Sequence, residues 1–190
     1  MTTLSGPKNA QQSMGTLPKL CHGRNVTPSP YIQLLPRANV QLDRQRKPCA
    51  ALLIETEQVI ETGQATPSLQ AQADALDLAL ILPETAQQSC SDGVWTDHAK
   101  ALKALRKQSA AWQLVGLAQD RHSAMILGEA GADLILFGRL RPLIVPGDLA
   151  LACWWASLFE IPCGLVLEAP PGADMAFGTE GWPEFYALKA

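Results

Sequence analysis

Residues Trp112 to Arg139 constrain the fold more than any other stretch of the chain, because they form a complete strand–helix–strand unit in under thirty residues. Trp112–Leu117 is a short apolar run with β-branched content, the pattern of a strand buried on both faces. Asp120 can cap the next segment, where Ala124, Met125, Leu127 and Ala130 give a helical apolar stripe. Gly131 supplies the residue that helices favour just past their end, and Leu134–Phe137 forms a second buried strand stopped by Gly138. A crossover this compact makes the two strands parallel, and a parallel sheet places its chemistry at the carboxyl ends of its strands. Here those ends are Ala118–His122 and Gly138–Arg141.

The same pattern gives eight strand candidates: Tyr31–Leu35, Cys49–Glu55, Leu78–Leu82, Asp92–Thr96, Trp112–Leu117, Leu134–Phe137, Cys163–Leu167 and Met175–Phe177. Between them, Asp97–Lys107 reads as a helix capped by Asp97, with Leu102 and Leu105 inward and Arg106 and Lys107 suited to its end. Gly147–Glu160 places Leu149, Ala152, Trp155, Ala156 and Phe159 on one helical face, and Ser68–Ala75 can make two turns. Arg37–Pro48 carries only a weak apolar stripe, and the Pro-Pro-Gly run within Ala169–Ala173 is too short for a helix.

At 190 residues, with 47% apolar and 17% charged content, the chain suits one domain with a real core. Its net charge of −3 gives no electrostatic case for nucleic acid or an anionic membrane, and no apolar run is long enough to span one. Residues 1–30 are polar and read as a disordered tail, leaving 31–190 as a single domain. Five scattered cysteines without a C-x-x-C pair fit a reducing cytoplasm, and Cys49, Cys153 and Cys163 sit in apolar surroundings. The sequence leaves the oligomeric state open.

A strand ending in Gly, a His at the start of the next helix, then Glu129-Ala130-Gly131-Ala132-Asp133 and apolar residues to Phe137-Gly138 resemble thiamine phosphate synthase and its relative TenI. Asp92-Gly93-Val94 looks like that family's Ala-Asp-Gly-Val-His strand. Trp154-Trp155-Ala156, Phe159–Cys163 and Ala173–Gly178 look like later segments of a divergent branch. The resemblance spans roughly 31–183 and is strongest over 92–138. It implies a TIM (β/α)8 barrel, thiamine biosynthesis, a small phosphorylated thiazole or pyrimidine ligand, and Mg²⁺. A (β/α)8 barrel typically takes ~200 residues or more. The expectation is therefore a trimmed barrel with one or two outer helices missing, chiefly between the last two strands; an open doubly wound sheet is the alternative.

Active members of that family hold a leaving diphosphate with Mg²⁺ and with a Gln-x-Arg-x-Lys motif after the second strand. The corresponding segment here reads Leu52-Leu53-Ile54-Glu55-Thr56-Glu57, with acids where cations belong. Glu84 can stand for the first metal-binding carboxylate and Asp97 for the second, although Asp97 equally suits a helix cap; Trp95 replaces the usual His. Arg139 and Arg141 can bind a phosphate bidentately or lie as solvated cations. The family's Gly-Gly phosphate cradle is replaced by Glu168-Ala169-Pro170-Pro171, leaving Gly178 and Thr179 after the last expected strand. His122 stands where TenI-type enzymes carry an acid/base His for thiazole tautomerisation, and it also suits a structural role in a first helical turn. Trp154-Trp155 reads as packing between helix and barrel.

Two classes of function follow. One is an enzyme of thiamine biosynthesis, synthase or tautomerase-like. The other is a non-catalytic barrel that binds a thiazole or pyrimidine phosphate, or serves as a partner subunit.

Overall fold

The computed structural model describes residues 31–35, 50–54, 65–86, 91–138, 146–168, 175, 177 and 179–189. Eight strands run β1 (Tyr31–Leu35), β2 (Ala51–Ile54), β3 (Ala79–Pro83), β4 (Gly93–Thr96), β5 (Gln113–Ala118), β6 (Leu134–Phe137), β7 (Cys163–Leu167) and β8 (Phe185–Lys189). Each pairs in parallel with the next, and β8 pairs in parallel with β1, closing the barrel. The open-sheet alternative is thereby excluded. Four helices cover the outside among the described residues: α1 (Ala65–Ala75), α2 (Ala99–Gln108), α3 (Arg121–Glu129) and α4 (Pro146–Leu158).

Period-two alternation decides which side chains fill the barrel. Ile32, Leu34, Ala51, Leu53, Ala79, Ile81, Val115, Leu117, Leu134, Leu136, Val166 and Ala187 form one buried cluster inside it, with Trp95 and Phe185 packed against them. The alternate residues face the helices. Leu52, Ile54, Leu80 and Leu82 meet Leu69 and Ala73 of α1. Leu114, Ile135, Phe137 and Leu165 meet Leu102, Leu105, Ala124, Leu127, Ala152 and Trp155. Gly164 is needed inside the barrel, since a Cβ there would stand 2.7 Å from Leu136 Cδ2. The Trp155 indole packs on Phe137 and stacks on Phe159 at 4.1 Å, while its Nε1–H donates to Ile161 O at 2.8 Å. Trp154 instead carries the Arg121 guanidinium 4.7 Å above its ring.

The amino-end face is held by one device used three times. Asp92, Asp133 and Glu184 each directly precede an even-numbered strand and clasp the preceding odd-numbered one. Leu80 N–H donates to Asp92 Oδ2 (3.0 Å), Leu114 N–H to Asp133 Oδ2 (2.8 Å) and Cys163 N–H to Glu184 Oε2 (2.7 Å). In return the backbone N–H of each acid donates to the carbonyl of that same residue, at 3.0, 2.8 and 3.0 Å respectively. The terminal N–H of a parallel pair, which would otherwise be an orphan, thus gains a charged acceptor. At Asp133 the clasp is reinforced by Arg106, whose Nη2 lies 2.6 Å from Oδ2 and also donates to Gly131 O.

Three sequence expectations change. The last strand is Phe185–Lys189 and not Met175–Phe177, because Glu184 anchors the later segment to β7 and Phe185–Leu188 pair with Gly164–Leu167. Asp97 does not cap α2: the cap residue is His98, with no side-chain bond, and the helix starts at Ala99. Met125 is 43% exposed, so the α3 stripe rests on Ala124, Leu127 and Ala130. The barrel is trimmed as expected, but also between β3 and β4, which only residues 84–92 connect. The proposed tail 1–30, the segment Arg37–Pro48 and Cys49 lie outside the described residues.

Candidate functional site

The carboxyl-end rim is built from residues that follow β3, β4, β5, β6 and β7. After β3, the Glu84 backbone N–H donates to Trp95 O at 3.1 Å, tying the ends of β3 and β4 together. The Thr96 side chain is 2% exposed. Its hydroxyl donates to Glu84 Oε2 and accepts from His98 N–H at 2.9 Å. Thr96 therefore turns the chain into α2, the work expected of Asp97, and the Asp97 carboxylate is released to solvent. Its Oδ1 lies 3.4 Å from His98 Nδ1, with the two side chains 48% and 69% exposed respectively. Water screens such a contact strongly.

Trp95 points inward from β4 and packs on the cluster inside the barrel. Its Nε1–H donates to Ile54 O at 2.7 Å, so the indole crosses the carboxyl end of β3 and reaches β2. This bond supplies the partner that a half-buried indole N–H requires. It also gives an acceptor at the end of β2 a donor from two strands away.

Magnesium demands near-octahedral oxygen coordination, commonly through one or two carboxylates plus ligand phosphates. Glu84 is bonded to the Thr96 hydroxyl and Asp97 lies beside His98, so the two candidate ligands face separate partners. Among the described residues no group of three or more His, Cys, Asp or Glu is placed to hold a metal ion. Among the described residues, the protein by itself presents no cluster that would hold Mg²⁺.

After β5, Asp120 caps α3 as the sequence implied. Its Oδ1 accepts from Ser123 N–H at 2.7 Å while Ser123 Oγ accepts from Asp120 N–H at 3.1 Å, a reciprocal capping box. The Ser123 bonds chiefly, with His122 nearby as a smaller contribution, hold the Asp120 carboxyl below its ordinary value. His122 lies in the first turn of α3 with its imidazole exposed, and that side chain has no hydrogen-bond partner among the described residues. The expected position of His122, at the carboxyl-end rim directly after a strand, is the observed one.

After β6, Gly138 adopts a left-handed backbone (φ +108°), and a Cβ there would stand 3.1 Å from Val166 Cβ. The loop it opens carries Arg139 and Arg141, both outside the described residues. Beside Gly138 lies Asp148, 7% exposed in the first turn of α4, with Oδ2 3.6 Å from where that Cβ would be. Sequence reasoning passed over Asp148, although an acid in a first helical turn suits the helix dipole. Glu168 follows β7 directly.

Gly178 lies outside the described residues, and Thr179 precedes β8 instead of following it. Thr179 O accepts from Trp182 N–H at 3.0 Å in a turn whose Gly181 approaches Ser157, near the carboxyl end of α4. That end of α4 belongs to the amino-end face, so the structure parts Thr179 from the rim. Cys163 is buried and its thiol pushed well above the ordinary range by burial and by Glu184; it donates to Ala152 O and is structural. Cys153 is half-buried.

No family model matches the chain. The thiamine-phosphate synthase of Rhodospirillum centenum is 31% identical over 131 residues, 58% of this chain and 63% of that protein. The thiamine-phosphate synthase of Erythrobacter litoralis is 33% identical over 116 residues, 54% of each chain. The chain thus aligns with somewhat over half the length of these curated relatives. Among solved structures, thiamine phosphate pyrophosphorylase from Pyrococcus furiosus matches with a TM-score of 0.57 at 13% identity, covering 85% of both chains. A designed cube-shaped, highly porous protein cage, made by fusing symmetric oligomeric domains, matches with a TM-score of 0.56 at 11% identity, covering 86% of this chain and 64% of that one. Identities this low speak to the barrel fold alone. The chain is a divergent relative of proteins identified as thiamine-phosphate synthases. Among the described residues no helix is long and apolar enough to cross a membrane.

Proposed function

We propose that this relative of the thiamine phosphate synthases is a cytoplasmic barrel of thiamine biosynthesis that binds one small phosphorylated thiazole or pyrimidine and does not join the two. The observation that carries this reading is the rim between β2 and β4. There Trp95 is fastened to Ile54 O and Glu84 to the Thr96 hydroxyl, a set of contacts suited to packing. Coupling a pyrimidine diphosphate requires cations to stabilise the departing diphosphate. The segment after β2 offers Glu55 and Glu57 instead, and among the described residues no group of three or more such ligands is placed to hold a metal. Arg139 and Arg141, in the loop that Gly138 opens, are the residues we assign to the ligand's phosphate.

Calorimetric titration with a thiazole phosphate and with a pyrimidine diphosphate, each with and without Mg²⁺, tests the proposal. The expected result is binding of one of them that is indifferent to Mg²⁺ and weakened by Arg139→Ala. Micromolar binding of the pyrimidine diphosphate that depends on Mg²⁺ would refute it.

One observation favours a second reading. The His122 imidazole is exposed at the rim, with no hydrogen-bond partner among the described residues and the Asp120 carboxylate beside it. That arrangement suits a proton shuttle in a thiazole tautomerase. The reading requires turnover that is lost in His122→Gln, measured by the interconversion of thiazole carboxylate tautomers.

A further inference from the structure

We propose that Trp95 is a specificity-determining residue: its indole occupies a ring-sized place at the barrel mouth, so that only one ring-bearing ligand enters. The inference rests on the reading above, in which the mouth receives a thiazole or a pyrimidine. Three observations carry it. Trp95 alternates inward on β4 and lies against the cluster of aliphatic side chains inside the barrel. Its Nε1–H bond to Ile54 O, at 2.7 Å, spans from β4 to β2 across the end of β3. Pro83, at that end of β3, is buried.

The β2–β4 sector of the mouth is therefore filled by an aromatic ring from the chain itself. The ring is held at one edge by a hydrogen bond and from below by apolar contacts. A free heteroaromatic ring needs those same two things, an apolar floor and an acceptor for one N–H or NH₂ group. Elsewhere at the mouth, among the described residues, the β5–β7 sector is bordered by Leu117, Leu136 and Val166 inside and by His122 and Gly138 at the rim. Joining two rings requires both to be seated side by side, and an indole fixed in one place prevents that.

Replacing the indole should recreate the place it fills. In Trp95→Ala, free indole should bind and raise the melting temperature towards that of the wild type, because a ligand taken up only by the folded state stabilises it. The wild type should show no shift with indole. The unphosphorylated aminopyrimidine should likewise bind Trp95→Ala at least tenfold more tightly than the wild type. Trp95→Phe retains a ring without the N–H, folds more readily, and should bind the pyrimidine no more tightly than the wild type does. Wild-type protein that binds the pyrimidine as tightly as Trp95→Ala overturns the inference, as does a folded Trp95→Ala indifferent to indole. The indole arm uses no thiamine precursor, so it decides this inference even where the wild type binds no thiazole phosphate, the result that defeats the functional reading.

Discussion

The two ends of this barrel use their carboxylates in opposite ways. At the amino end, Asp92, Asp133 and Glu184 each close a two-bond clasp on a neighbouring strand, and Arg106 neutralises one of them. At the carboxyl end, Glu84 takes a hydroxyl, Asp97 faces solvent, Asp120 caps a helix, and Asp148 is buried beside Gly138. In barrels of this kind, the amino-end face serves stability and the carboxyl-end face serves chemistry. Here the first repeats one clasp at three strand pairs among the described residues, whereas the second is occupied by packing and capping contacts. A chain can keep the device that ties its strands in pairs while the rim above carries other contacts.

The contrast breaks first at Asp133. Asp133→Ala removes the acceptor of Leu114 N–H and the carboxylate partner of Arg106. With both ionic side chains about one-third exposed, the expected loss is about 2 kcal/mol. For a domain of this size that lowers the melting temperature by roughly 4–8 °C, measured by thermal denaturation, with ligand affinity unchanged. A loss at the rim as large as this one would erase the distinction between the faces.

Asp120→Ala comes next, since it removes a reciprocal helix cap. Folding lowers the Asp120 carboxyl from its ordinary value of 3.8, so its contribution is present above that value and lost as the pH falls through the lowered one. The stability gap between wild type and variant should hold at neutral pH and close below pH 3.8. A gap independent of acid would show that the carboxylate's charge plays no part.

Glu84→Gln keeps an acceptor for the Thr96 hydroxyl and should cost less than about 1 kcal/mol in urea unfolding. It should leave ligand affinity intact with and without Mg²⁺; a tenfold loss of affinity seen only with Mg²⁺ present would restore Glu84 as a metal ligand. The smallest effect belongs to His122→Gln, an exposed residue whose replacement should change stability by no more than about 0.5 kcal/mol.

The sequence made one face far more legible than the other. The unit from Trp112 to Gly138 could be read correctly because its strands are buried on both sides and its helix is marked by Asp120 and Gly131. The last strand is hard to read, because Met175–Phe177 is an apolar run near a glycine, while Phe185–Lys189 follows Trp182-Pro183 and ends in lysine. The clasp supplies the missing signal: Asp92, Asp133 and Glu184 each stand immediately before a strand, a pattern visible in the sequence. At the rim, the sequence points to Asp97 as the cap of α2, whereas Thr96 turns the chain into the helix. Residue preference cannot register that a buried hydroxyl already accepts the His98 N–H. The role of Asp148 depends on Gly138 and Val166, contributed by two different strands, and no local pattern announces it.

The central claim is that the rebuilt carboxyl-end rim no longer joins two rings. Its most direct test is a turnover assay of the purified protein with a pyrimidine diphosphate, a thiazole phosphate and Mg²⁺ together, following released pyrophosphate and thiamine phosphate. The account expects neither product above the uncatalysed background, from a protein whose barrel is folded and cooperative on melting. Stoichiometric release of both products at an enzyme-dependent rate would contradict it.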